Sequence, residues 1–165
     1  MKRLTQITEN KINADLLYAD LTYSIRGCVF SVYNELGFGH KESVYQKALT
    51  KEFESIDLSY KKEFPLKVSY KGVLVGNYRP DFIIDDKIII ELKAVEFVPK
   101  SYEIQLLQYL KATEFELGLL INFGGPTLYI KRLINQRKSP PLSYQRKSAV
   151  QISDNHSRAS REERG

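Results

Sequence analysis

The sequence predicts an α+β domain built on a mixed β-sheet flanked by helices. Three observations predict it. Two stretches of helical periodicity stand ahead of any strand pattern, a hairpin of nearly continuous β-branched residues follows, and a third helical stretch separates that hairpin from two further strands.

From Asp15, the apolar residues Leu17, Leu21, Ile25, Cys28, Val29, Val32 and Leu36 recur at three and four positions, one stripe of an amphipathic helix. Gly37 and Gly39 end it, as glycine does just past a helix. Val44, Tyr45, Ala48, Leu49, Phe53 and Ile56 form a second stripe and predict a helix from about Lys41 to Ser55. The period then changes. Leu58 to Val68 contains Pro65 and reads as an irregular or edge strand. Val73, Val75 and Tyr78 suggest another, with Lys71 and Gly72 as the turn. Phe82-Ile83-Ile84 and Ile88-Ile89-Ile90 flank Asp85-Asp86-Lys87, which predicts a hairpin of central strands covered on both faces. Ile104, Leu107 and Leu110 suggest a third helix, Gly118 to Phe123 a buried strand, and Leu128 to Ile134 a last, alternating one.

The 165 residues suit a single domain over 1–136 and a tail over 137–165, and 42% hydrophobic residues suffice for one core. The tail has the Ser-, Arg-, Lys- and Pro-rich composition of a disordered segment. It holds seven Lys/Arg against three acids, leaving 18 basic and 17 acidic side chains in the domain, so the net +5 belongs mostly to the tail. Charge alone therefore does not argue for a nucleic-acid partner. The lone Cys28 excludes an intramolecular disulfide and fits the apolar stripe of the first helix. No apolar stretch follows the start as in a signal peptide, and none is long enough to cross a bilayer, so a cytoplasmic protein without a membrane is expected. His40 has no His or Cys partners for a zinc site, and Gly124-Gly125-Pro126 is a turn without the Lys-Ser/Thr of a phosphate loop.

The residues with chemical promise are Asp81, Glu91 and Lys93. With a three-residue loop centred on Asp86, cross-strand partners have numbers summing to about 172, which sets Asp81 opposite Glu91 with Cβ atoms roughly 5 Å apart. Lys93 follows on the same strand face as Glu91. Two carboxylates so close repel unless a cation lies between them, and Mg²⁺ or Mn²⁺ suits such oxygen donors. Phosphodiester hydrolysis is the reaction such a group fits. A plainer reading has Asp81 merely opening a strand and Glu91 pairing with Lys93.

The setting resembles that of the PD-(D/E)xK nuclease superfamily, and more closely the bacterial family named for G-x-x-E-x-x-Y, which stands here as Gly39-His40-Lys41-Glu42-Ser43-Val44-Tyr45. The likeness continues through Tyr78-Arg79-Pro80-Asp81-Phe82, Glu91-Leu92-Lys93-Ala94, Gln105 to Lys111, Gly118 to Gly124 and Ile130-Lys131-Arg132. It implies a restriction-endonuclease-like core with an extra N-terminal helix, and a metal-dependent nuclease acting on nucleic acid, DNA before RNA. It implies metal ligation by Glu42, Asp81, Glu91 and the carbonyl of Leu92, and a catalytic role for Lys93 beside the three acids. It also implies substrate contacts from Gln105, Tyr109 and Tyr45. Both tyrosines are equally readable as core aromatics, and Glu42 as a residue favoured in a first helical turn. The competing function is a non-catalytic nucleic-acid- or protein-binding module on the same fold.

Overall fold

The computed structural model describes residues 17–135 except Glu114. The basic tail anticipated from residue 137 lies outside them. Among the described residues, helix α1 (Ala19–Leu36) and helix α2 (Glu42–Ser55) come before any strand, as expected. Gly37 ends α1 at φ 68, a conformation that costs a residue without a Cβ little, and its N–H donates to the Tyr33 carbonyl. Strands β1 (Tyr60–Lys62), β2 (Leu66–Tyr70), β3 (Val73–Tyr78), β4 (Phe82–Ile84) and β5 (Ile88–Lys93) follow, then helix α3 (Lys100–Ala112), β6 (Leu117–Asn122) and β7 (Tyr129–Ile134).

The main sheet has the order β1-β4-β5-β6-β7. It is mixed: β5 and β6 are parallel, connected through α3, and the other neighbours are antiparallel. In the β4–β5 hairpin Phe82 faces Ile90, Ile83 faces Ile89 and Ile84 faces Ile88, the register anticipated from the loop. Asp85 and Asp86 hold φ near 50, which aspartate tolerates better than a branched residue does.

The stretch expected as one irregular strand from Leu58 to Val68 is instead two strands in two sheets. β1 pairs with β4, whereas β2 pairs only with β3 in a separate two-stranded sheet. Pro65 between them has no N–H to give to a ladder, so the chain leaves the main sheet there.

The main sheet buries both faces. On one, Ile25, Val29 and Val32 of α1 and Tyr45, Leu49 and Phe53 of α2 pack with Phe82, Ile84, Ile88, Ile90, Leu92 and the odd-numbered positions of β6. On the other, Leu106 and Leu110 of α3 pack with Tyr78, Ile89, Leu120 and Leu133. Gly118 leaves room there, because a Cβ at this position would lie 3.0 Å from the Leu106 side chain.

Candidate active site

β5 outruns its partner. The ladder with β4 stops at Phe82 and Ile90, so Glu91, Leu92 and Lys93 continue past the start of β4. The Leu92 N–H is taken there by a side chain, donating to Asp81 Oδ2 at 2.8 Å. Asp81 Oδ1 accepts from Gln46 Nε2 of α2 at 3.2 Å, and the Asp81 carbonyl accepts from the Glu63 N–H at 3.1 Å. Asp81 thus ties α2 and the segment after β1 to the end of β5.

Glu91 is bound on two sides. One carboxylate oxygen accepts from the Tyr78 hydroxyl, and the other lies 3.4 Å from Lys93 Nζ. This ion pair is well shielded, with side-chain exposures of 18% for Lys93 and 14% for Glu91. Lys93 Nζ also sits 5.4 Å from the centre of the Tyr102 ring of α3, where the ring face attracts a cation. Tyr78 stacks on Tyr109, whose hydroxyl accepts from Gln105 Nε2 at 2.7 Å. The i, i+4 pair on α3 therefore borders the site through Tyr78.

Burial raises the carboxyl pKa of Glu42, Asp81 and Glu91. Against it, Lys93 lowers all three, the Leu92 N–H most of all relieves Asp81, and the Tyr78 hydroxyl most of all relieves Glu91. The negative charge of Asp81 adds to the upward shift at both Glu42 and Glu91. The four charged groups therefore share one field, with three acids facing one ammonium. The Tyr78 hydroxyl is itself held well above the usual phenol range by burial and by the Glu91 charge.

Among the described residues, no three His, Cys, Asp or Glu side chains are grouped to hold an ion. Gln46, the Leu92 N–H, Tyr78 and Lys93 occupy the oxygens of Asp81 and Glu91. The chemistry of the set still fits a hard divalent cation: every candidate ligand is an oxygen, and three partly buried carboxylates are left with one balancing charge.

Tyr45, expected among substrate-contacting residues, is fully buried. Its ring stacks on Phe123 with centroids 4.4 Å apart, and its hydroxyl donates to the Gly37 carbonyl at 2.9 Å while accepting from the His40 N–H. It is a core aromatic that pins the loop between α1 and α2, so a substrate contact from it is corrected to a structural role. Cys28 is buried, as anticipated.

Three positions escaped the sequence reading. Tyr78 and Gln46 touch the acids directly, and Gln46 follows Glu42 by four residues, a helical-face spacing that pointed to the same site. Buried Asn122 is the third. Its amide bonds the Val95 N–H and carbonyl at 2.9 and 2.8 Å and fixes the chain just after Lys93.

A family model described as the PD-(D/E)XK nuclease superfamily matches residues 19–133. Searches of curated proteins and of solved structures find no match.

Proposed function

The chain belongs to the PD-(D/E)XK nuclease superfamily, and from that premise we propose that it hydrolyses phosphodiester bonds of nucleic acid with a divalent cation, Mg²⁺ or Mn²⁺. The observation that carries this reading is the convergence of Asp81, Glu91 and Lys93 at the end of β5, where the Leu92 N–H binds Asp81 and Lys93 pairs with Glu91. Asp81, Glu91, Glu42 and the Leu92 carbonyl would hold the cation. When bound, it supplies stabilisation of the phosphoryl oxygens and a more acidic water. Its positive charge would relieve the repulsion among the three acids, which Tyr78 and Gln46 meet only as neutral donors. Lys93, kept in place by Glu91 and the Tyr102 ring, orients the attacking water and offsets charge developing on the phosphate. Gln105 and Tyr109 border the substrate path. Within the superfamily, Gly39, Glu42 and Tyr45 support membership of the G-x-x-E-x-x-Y group, and DNA is the preferred substrate.

One observation favours the other reading, a binding module without turnover: Asp81 and Glu91 are both satisfied by internal donors. Purified protein incubated with labelled single- and double-stranded DNA and RNA, in Mg²⁺, Mn²⁺ or EDTA, decides between them. Cation-dependent cleavage supports the nuclease; four inert substrates support the module.

A further inference from the structure

The near-neutral charge of the domain conceals a strong division. Residues 60–79, which run from β1 to the end of β3, carry five basic side chains (Lys61, Lys62, Lys67, Lys71 and Arg79) and one acid, Glu63, a net of +4. Residues 17–59 and 80–135 together carry ten basic and fourteen acidic side chains, a net of −4. All five cations are exposed. Lys61 is spent on an ion pair with Asp86, but no described carboxylate pairs with Lys62, Lys67, Lys71 or Arg79. Lys71 instead lies 5.4 Å from the ring of exposed Tyr70.

The base of the hairpin borders the site. The β2–β3 hairpin pairs with no strand of the main sheet. Leu66 and Tyr78, paired at its base, pack with the α3-side core, and Tyr78 reaches Glu91. Arg79 lies between Tyr78 and Pro80-Asp81. The far end carries Tyr70, Val73, Leu74 and Val75, each 51–64% exposed, an apolar tip.

We infer that the β2–β3 hairpin is a substrate-tracking arm, in which Lys67 and Lys71 of the hairpin, with Lys62 and Arg79 flanking its base, contact the phosphate backbone of a nucleic acid whose scissile bond lies at Asp81, Glu91 and Lys93. Charge complementarity selects this occupant: a four-charge excess on an otherwise acidic domain is the distribution that captures a polyanion while keeping it off the remaining surface. Tyr70 with its neighbouring Lys71 offers a base-stacking platform at the tip. Edge lysines that merely deter strand pairing would leave nucleic-acid affinity indifferent to their removal.

This inference rests on the proposed nuclease reading, and a binding measurement separates the two. Fluorescence anisotropy in Ca²⁺ or EDTA would follow labelled single- and double-stranded oligonucleotides across a salt series. The variants are Lys62→Gln/Lys67→Gln/Lys71→Gln/Arg79→Gln and a control, Lys47→Gln/Lys100→Gln/Lys111→Gln/Lys131→Gln, with circular dichroism to check folding. The arm variant is expected to lose at least about tenfold in affinity, and its log–log salt slope to fall by about 3 units, near 0.7 to 0.9 for each lost phosphate contact. The control should change far less. A wild type that binds and cleaves while the arm variant matches it in affinity and slope overturns the arm and leaves the nuclease standing. A wild type that binds no nucleic acid overturns both. A dimer in sedimentation that Leu74→Ser dissociates, with nucleic-acid affinity unaltered, assigns the tip to self-association and also overturns the arm.

Discussion

The hydroxyl of Tyr78, the last residue of β3, donates to the carboxylate of Glu91 on β5, so the separate two-stranded sheet is fastened to the site by the same group that would ligate a cation. Tyr78→Phe keeps the stack on Tyr109 and removes only the donor. In EDTA the variant should lose about 1–3 kcal/mol, the cost of leaving a buried acceptor short of a partner. In saturating Mg²⁺ the loss should shrink, because a bound cation would itself partner the Glu91 carboxylate. Urea unfolding in both buffers measures this, and equal stability of variant and wild type in EDTA would show that the bond contributes nothing.

The raised carboxyl pKa values of Glu42, Asp81 and Glu91 fix the sign of a pH dependence. In the folded protein these groups hold protons that the unfolded chain has already released. Their contribution is therefore most favourable below the ordinary carboxylate range, near 4, and is lost as pH rises through the higher folded values. Metal-free protein should lose stability between about pH 4 and neutrality, relative to a Glu42→Gln/Asp81→Asn/Glu91→Gln variant measured in parallel. The comparison cancels the other acids, including exposed Glu54, whose pKa its bond to Lys51 pulls the opposite way. Parallel curves for the two proteins would contradict the shared field.

Gly124 follows β6 where the chain crosses the segment after Lys93. A Cβ here would overlap backbone atoms of Ala94 and Val95, which cannot swing away as a side-chain tip can. Gly124→Ala should therefore destabilise by more than about 2 kcal/mol, in the range of overpacked cores, and lower activity in step with any displacement of Lys93. Gly118→Ala meets only the Leu106 side chain and should cost less. Thermal melts of the two variants give the order, and a milder effect at Gly124 would contradict the close approach.

The sequence showed the hairpin register well because both arms are apolar and β-branched and the loop between them is short, so few registers bury every isoleucine. It did not show that the strand around Pro65 divides between sheets, since that depends on β2 finding β3 in place of β4. The acids were legible by spacing, but their present partners were not. Tyr78 and Gln46 reach Glu91 and Asp81 from 13 and 35 residues away, contacts that local patterns do not encode. Tyr45 was ambiguous for the same reason, since the acceptor of its hydroxyl, the Gly37 carbonyl, is presented only once Gly37 has turned the chain out of α1.

Lys93 separates an enzyme from a binding module. Its ammonium is held by Glu91 and the Tyr102 ring in a shielded position, and it is the cation whose charge acts on all three acids. If it serves the transition state, Lys93→Ala should lower cleavage by at least about 10²-fold, the usual effect of removing one group that offsets developing charge. Nucleic-acid affinity should change little, because phosphate attraction is spread over many cations. Divalent-cation affinity should hold or rise, since the three acids lose a competing positive charge. Asp81→Asn should act differently, weakening cation binding and cleavage together by removing ligand charge and the strongest acceptor for the Leu92 N–H. Single-turnover cleavage with cation titrations reads both variants, and metal-stimulated cleavage unchanged in Lys93→Ala would reject the mechanism even if the protein proved to be a nuclease.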